Sequence, residues 1–295
     1  VIELLPYDVK PIGPVGNPGI FVGYLIKGDL AAVVESGPSK TVDEYASQVA
    51  ESTKDLSWIL VSHVHIDHAG GAWKLAQRFQ TSRVGVYEKG AKHLIDPSRL
   101  SDSAKQALGP LYDMWGEIRP VPRDRVVAFA DGETVNLGRP TLRLIAAPGH
   151  APHSSVWYLE EERVLFTGDA MGVYIPLNRE GVIWPTSPPP SFDYEVSMAT
   201  IRKLAKLKID HLCFPHYSYT SEVGPVMEEI VSAYERWFAV TKEGLEKGWS
   251  ERKTLEEYLA PTRHRELVDH PYLSLLLYMD LHGMLAYHRK KAQNT

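Results

Sequence analysis

Short apolar runs recur through the first two thirds of the chain, each closed by glycine, proline or acidic residues, and that rhythm predicts strands. Residues 20–26 form such a run; Lys27-Gly28-Asp29 supplies turn chemistry, and 31–34 reads as the partner strand. Further strands are expected at 56–61, 83–87, 126–130, 134–136, 141–146, 156–159, 164–167 and 210–214. Helical spacing predicts helices over 41–52 and 72–79, with Asp43 and Glu44 suiting the first turn of the former. Between 88 and 125 the pattern becomes helical, with an amphipathic helix over 103–117 bounded by Asp96-Pro97 and by Pro120 and Pro122. Residues 185–190 are a proline-rich loop, followed by helix 194–206. Beyond residue 222 the pattern is helical: 226–247, 255–259 and 271–291. Strands alternating with helices imply a layered α/β fold. The expected organisation is one α/β unit over 1–221, with an inserted helical segment near 88–125, and a helical extension over 222–295 packed on it.

Composition narrows the classes of function. The net charge of −5 gives no reason to expect a nucleic-acid partner. Cys213 is the single cysteine, so an intrachain disulfide and an all-cysteine zinc site are both excluded. The opening VIELLPYDVK lacks the basic and apolar regions of a signal peptide, and no apolar run is long enough to span a bilayer. The expectation is a cytoplasmic protein without a membrane partner, monomeric or homodimeric, acting on a small molecule. Asn and Gln together number nine while Pro reaches 21, a bias expected of a thermophilic protein.

The chemistry concentrates in Ser62-His63-Val64-His65-Ile66-Asp67-His68, directly after an apolar strand. Imidazole and carboxylate are the donors that hold zinc and related divalent metals. In extended backbone, His63 and His65 point the same way, and Asp67 continues the alternation. His150, Asp169 and His216 each follow a predicted strand, at Pro148-Gly149-His150, Thr167-Gly168-Asp169 and Pro215-His216. Ligands gather beyond the carboxyl ends of strands in open α/β sheets.

These motifs, in this order, resemble the metallo-β-lactamase superfamily over most of the chain: HVHIDH matches its HxHxDH, and PGH, TGD and PH match its later motifs. The resemblance implies an αββα four-layer sandwich with the metals at one edge. It implies that His63, His65 and His150 hold one metal, that Asp67, His68 and His216 hold a second, and that Asp169 bridges them. The expected cofactors are two divalent ions, zinc first, with iron, manganese, cobalt or nickel as alternatives. The expected activity is hydrolysis of ester-type substrates (carboxylic ester, lactone, thioester or phosphoester) by a metal-bridging hydroxide of lowered pKa. Asp67 is counted among the catalytic residues as well as the ligands.

Departures from the family's patterns set aside several branches. Many two-zinc β-lactamases of the family place Cys where Asp169 stands, and Cys213 lies in an apolar strand where it reads as core. Flavodiiron members carry Glu where His65 stands. Glyoxalase II-like thioesterases, lactonases and phosphoester-cleaving members remain, and GHAPHSS and FPHYSY are similar to strings in archaeal metallo-hydrolases. His153, three residues past His150, is a candidate to hydrogen-bond a ligand or substrate. Tyr174, five past Asp169, is a candidate catalytic tyrosine because some lactonases are similar in placing one near the bridging Asp. Tyr217 and Tyr219 read as packing, as do Tyr112, Met114 and Trp115, which alternatively line a substrate cleft. The insertion reads as a lid or a dimer contact. Two alternatives stand beside the hydrolase: an iron-dependent redox enzyme resembling persulfide dioxygenases, and a non-enzymatic metal-stabilised scaffold.

Overall fold

Most of the apolar runs are apolar on both faces, and each face has its own partner. In β2 (Phe21–Lys27), Val22, Tyr24 and Ile26 enter one buried cluster while Phe21 and Leu25 enter another. In β3 (Ala31–Val34), Ala32 and Val34 part from Ala31 and Val33 in the same way. A sheet covered on one side by a second sheet and on the other by helices produces this division.

The computed structural model describes residues 2–7, 20–177, 180–217, 219–262 and 264–293; positions 178–179 and Ser218 of FPHYSY lie outside them. With β1 (Ile2–Tyr7), β2 and β3, the strands β4 (Leu56–Leu60), β5 (Arg83–Tyr87) and β6 (Val126–Phe129) form a six-stranded sheet in sequential order. Its first two pairings are antiparallel and the last three parallel. The second sheet contains β7 (Thr134–Asn136), β8 (Thr141–Ala146), β9 (Ser155–Leu159) and β10 (Val164–Phe166). A hairpin of β11 (Val173–Leu177) and β12 (Glu180–Trp184) intervenes, and β13 (His211–Cys213) and β14 (Tyr219–Thr220) complete the order β14-β13-β10-β9-β8-β7. Leu60, Phe129, Leu142, Leu144, Trp157, Phe166 and Cys213 fill the space between the sheets, which makes Cys213 core as its strand context predicts.

Helices cover the outer faces: α1 (Val42–Ser52), α2 (Ile66–Ala69) and α3 (Ala72–Arg78) lie between β3 and β5 in sequence, and α4 (Glu88–Ile95), α5 (Ser98–Leu108) and α6 (Pro110–Trp115) occupy the insertion. The single helix expected over 103–117 is in fact divided between α5 and α6. Pro110 has no N–H to continue α5, so it starts a new helix at its first position, and Gly109 makes the corner at φ +51°. The HVHIDH segment contains the start of the short α2, and the β11–β12 hairpin, where no strand is expected from the sequence, leads into the proline-rich loop.

α7 (Tyr194–Leu204) starts on Asp193, whose carboxylate accepts from Val196 N. α8 (Val223–Lys247), α9 (Glu251–Leu259) and α10 (Leu273–Gln293) make up the C-terminal region. Their apolar residues share a buried cluster with the outer face of the sandwich. Trp184 of β12 packs against Trp237 and Tyr258 at ring distances of 5.1 Å each, and such pairs contribute about 0.5–1.5 kcal/mol beyond area burial. No helix among the described residues is long and apolar enough to cross a membrane.

Candidate metal centre

Strand direction brings the predicted ligands together. β8 and β10 both run antiparallel to β9, and β13 runs parallel to β10, so the carboxyl ends of β8, β10 and β13 share one edge. His150, Asp169 and His216 follow those ends, and the HVHIDH segment follows β4 of the opposite sheet. The sheets are pinned there by main-chain contacts: Ser155 N donates to Ser62 O (2.9 Å) and Val22 N to Pro215 O (2.9 Å). Gly168 takes φ +46°, and a Cβ there would lie 2.5 Å from Ser62 Cβ, so only glycine lets the Asp169 turn close on the HVHIDH segment.

All seven predicted ligands converge, in two groups. His63, His65 and His150 form one; Asp67, His68, Asp169 and His216 form the other; within each group, one donor atom per residue lies within 4.8 Å of the rest. His65 Nδ1 faces His63 Nε2 at 3.0 Å and His150 Nε2 at 2.9 Å. In the second group, His68 Nε2 and His216 Nε2 are 3.4 Å apart. Asp169 faces both: Oδ2 lies 3.5 Å from His150 Nε2, and Oδ1 lies 3.4 Å from His68 Nε2 and 3.6 Å from His216 Nε2.

The hydrogen bonds on the outer side of the rings decide which nitrogens carry protons. His216 Nδ1 lies 3.2 Å from Ile20 O, which only accepts, so that nitrogen carries the proton and Nε2 presents a lone pair inward. Thr186 Oγ1 gives its proton to Asp169 O at 2.9 Å, so it accepts from His150 Nδ1 at 3.0 Å, and His150 Nε2 likewise presents a lone pair. His68 Nδ1 faces Glu35 Oε2 at 3.5 Å. His150 and His216 therefore aim lone pairs at the points where the carboxylate oxygens of Asp67 and Asp169 gather. Asp169 Oδ1 is buried without a hydrogen bond among the described residues, with His68 Nε2 3.4 Å away. Buried acceptors facing one another are unfavourable unless a cation lies among them. The donor set, four carboxylate and imidazole residues beside three imidazoles, fits two divalent ions of the zinc type.

Protonation follows the same division. Burial, then the neighbouring imidazoles, hold His63 well below its ordinary value. Burial and His150 lower His65 to about 3, and burial lowers His150 to about 4 despite Asp169. For His68, burial would lower the ring, but the carboxylates of Asp169, Asp67 and Glu35 outweigh it and raise it well above the usual range. Burial also opposes ionisation of Asp169, yet His68 and His150 hold its carboxyl far below the carboxylate range.

The remaining candidates divide. His153 sits beside the three-imidazole group, its ring 5.4 Å from that of His65, and its Nδ1 is buried without a hydrogen bond among the described residues. Burial, then His65 and His93, lower it to about 2, so the ring is neutral. Tyr174 is not positioned for the role expected of it. Strand alternation in β11 turns Val173 and Ile175 to the cavity beside the site, and Tyr174 instead stacks on Phe214 at 5.7 Å. The tyrosine on the cavity wall is Tyr217, which directly follows His216. Trp115 also lines that wall, whereas Tyr112 and Met114 do not.

Three residues behind the ligands went unnoticed in the sequence. Glu35 is buried at φ +69°, an uncommon conformation for glutamate, facing His68. A buried acid closing an apolar strand was its only sequence signal. Thr186 belongs to the proline-rich loop, and Asp280 of α10 holds that loop by accepting from Ser187 N (2.6 Å) and Trp184 Nε1 (2.8 Å).

Residues 17–216 match the family model of the metallo-beta-lactamase superfamily. The chain belongs to that superfamily. A similar relative is the metallo-beta-lactamase fold-containing protein ST1585 of Sulfurisphaera tokodaii, 31% identical over 224 residues, 74% of this chain and 80% of that protein. The crystal structure of ST1585 aligns with a TM-score of 0.64 at 30% identity, covering 78% of this chain and 84% of that one. The metallo-beta-lactamase family protein TTHA1429 from Thermus thermophilus shares the fold at TM-score 0.65 and 21% identity, over 99% of this chain and 94% of that one. The hydroxyacylglutathione hydrolase GloC of Haemophilus influenzae is 28% identical over 193 residues, 65% of this chain and 82% of the relative. Superfamily membership agrees with the αββα expectation, and the superfamily includes hydrolases such as GloC.

Proposed function

We propose that this chain is a binuclear metal-dependent hydrolase of ester-type substrates, whether carboxylic ester, lactone, thioester or phosphoester. The observation that carries the reading is the pair of imidazole and carboxylate groups, joined by the two oxygens of Asp169, at the head of a cavity of about 300 Å³. His63, His65 and His150 would hold one ion, Asp67, His68 and His216 the other, and Asp169 both. When bound, two such ions supply Lewis acidity and lower the pKa of water to near neutrality. GloC is named for hydrolysis of a thioester, which supports this bond type.

The protein's own groups do the rest. Thr186 and the Ile20 carbonyl fix the tautomers of His150 and His216, and Glu35 orients His68. Neutral His153, on the cavity wall beside His65, is placed to hydrogen-bond the substrate's carbonyl or leaving atom. Hydrolysis joins the oxygen of water to the acyl carbon or phosphorus. The bond to the leaving oxygen or sulfur breaks, that atom takes one proton, and an acid is formed.

The test combines metal content with turnover. Protein expressed without metal bias is expected to carry two metals per chain. Chelation is expected to abolish turnover of model lactone, thioester and phosphoester substrates, and added zinc, manganese, cobalt or nickel to restore it. Asp169→Asn is expected to lower both metal content and turnover, the latter by at least about a hundredfold. One iron per chain with oxygen consumption would instead establish the redox alternative, and an Asp169→Asn protein unchanged in metal and activity would leave only a scaffold.

A further inference from the structure

The cavity continues from the metal centre into an apolar region that the hydrolytic chemistry does not explain. Its wall beyond the ligands is built by two elements far apart in sequence: α5, through Leu100, Ala104 and Leu108, and α10, through Leu273, Leu276 and Leu277. On α5 these three positions are four residues apart and make one stripe along the helix. Yet α5 buries no residue fully, and the stripe stays half-buried because it faces the cavity. An amphipathic helix ordinarily seals such a stripe against a packed core. Here the cavity takes the place of part of that core. Trp115 and Trp184 add aromatic wall.

Charge is sparse along the same wall. Apart from the ligands, its charged side chains among the described residues are Arg99, exposed at the start of α5, and Asp280, whose oxygens already accept from Ser187 and Trp184. A charged acyl group would have few partners there. A hydrocarbon chain would cover the α5 stripe and the α10 leucines and lose water from both.

We propose that this region is an acyl-chain subsite, and that the substrate is an ester or thioester of a linear aliphatic acid whose chain lies between α5 and α10. The inference rests on the hydrolase reading above and narrows it. The whole cavity, with the space beside the ligands included, is about 300 Å³, room for about ten groups the size of a water molecule; with the ester group at the ligands this leaves an acyl chain of roughly six to eight carbons. Each added methylene buried there raises kcat/KM about fourfold. The helical insertion and the C-terminal helices thus set chain-length preference, while the sandwich edge supplies the hydrolytic site.

The test uses metal-restored, full-length protein and p-nitrophenyl esters from acetate to dodecanoate. The expected result is a rise in kcat/KM of about fourfold per methylene to near octanoate, then a plateau or fall. Ala104→Trp, at a half-buried helix position, is expected to lower the octanoate-to-acetate ratio of kcat/KM at least tenfold. Calorimetry of octanoate and butyrate on chelator-treated protein reads the subsite without turnover, and octanoate is expected to bind at least tenfold tighter. A flat chain-length profile, or equal binding of the two acids, overturns the subsite. Absence of turnover on every ester, with octanoate still preferred in the binding assay, overturns the hydrolase reading and leaves the subsite standing.

Discussion

Replacing Thr186 with valine removes one hydroxyl and nearly nothing else, and the structure sets the size of the effect. Thr186 is 6% exposed and His150 3% exposed, so water does not replace the lost oxygen. The variant leaves the His150 Nδ1–H without the acceptor it has at 3.0 Å, and Asp169 O without the donor it has at 2.9 Å. A buried polar group left without its partner costs about 1–3 kcal/mol. Part of that cost is relieved if the imidazole shifts its proton to Nε2, but that nitrogen is then lost as a metal donor. Either way metal binding suffers, and losing such an outer partner of a ligating histidine lowers affinity about 10- to 100-fold. The assay is competition of zinc against a chromophoric chelator at neutral pH, with thermal unfolding of the metal-free proteins as the check on folding. Thr186→Ser keeps the hydroxyl and is expected to stay within about threefold of the parent. Parental zinc affinity in the valine variant, with unchanged melting temperature, would refute the assignment of His150 Nε2 as an inward lone pair.

Burial pushes the Asp280 carboxyl up to about 8 against the opposing effect of its two N–H donors. Because its folded value lies above its unfolded one, its stabilising contribution is complete below about pH 4 and is lost as pH rises toward 8. Relative to Asp280→Asn, the parent is therefore expected to lose up to about 1.4 kcal/mol per pH unit between pH 5 and 8 in urea unfolding, and parallel profiles would contradict this. Cys213 is 5% exposed between the sheets, and burial raises its thiol well above the usual range. It should resist thiol reagents until the protein unfolds, and Cys213→Ala should keep parental metal content and turnover. Rapid labelling of the native protein, or metal loss in that variant, would show that the thiol belongs to the site.

Local pattern was enough for much of this protein because strand position and ligand type are local properties. The apolar runs located ten of the fourteen described strands to within a residue or two, missing β1, β11, β12 and β14, and the residues just past β4, β8, β10 and β13 include all seven side chains that converge. HVHIDH carries its own geometry, since alternation in an extended segment aims His63 and His65 together. The pattern also misled on facing: Tyr174 sits near Asp169 in sequence, but the pairing of β11 with β12 turns it away from the cavity. The helix expected over 103–117 failed at Gly109-Pro110, a break that proline's missing N–H makes legible in hindsight.

What only the tertiary structure decided is which distant groups meet. Glu35 reaches His68 across 33 positions, Thr186 reaches His150 across 36, and Asp280 of the last helix holds the loop that carries Thr186. The half-filled stripe on α5 reads in sequence as ordinary amphipathic surface; that it faces the leucines of α10 across a cavity depends on how the two helices settle on the sandwich. Periodicity specifies the face a residue occupies, because backbone geometry repeats every two or 3.6 residues. It carries no information about what stands opposite that face, because packing between elements is set by the shapes and volumes of both partners at once.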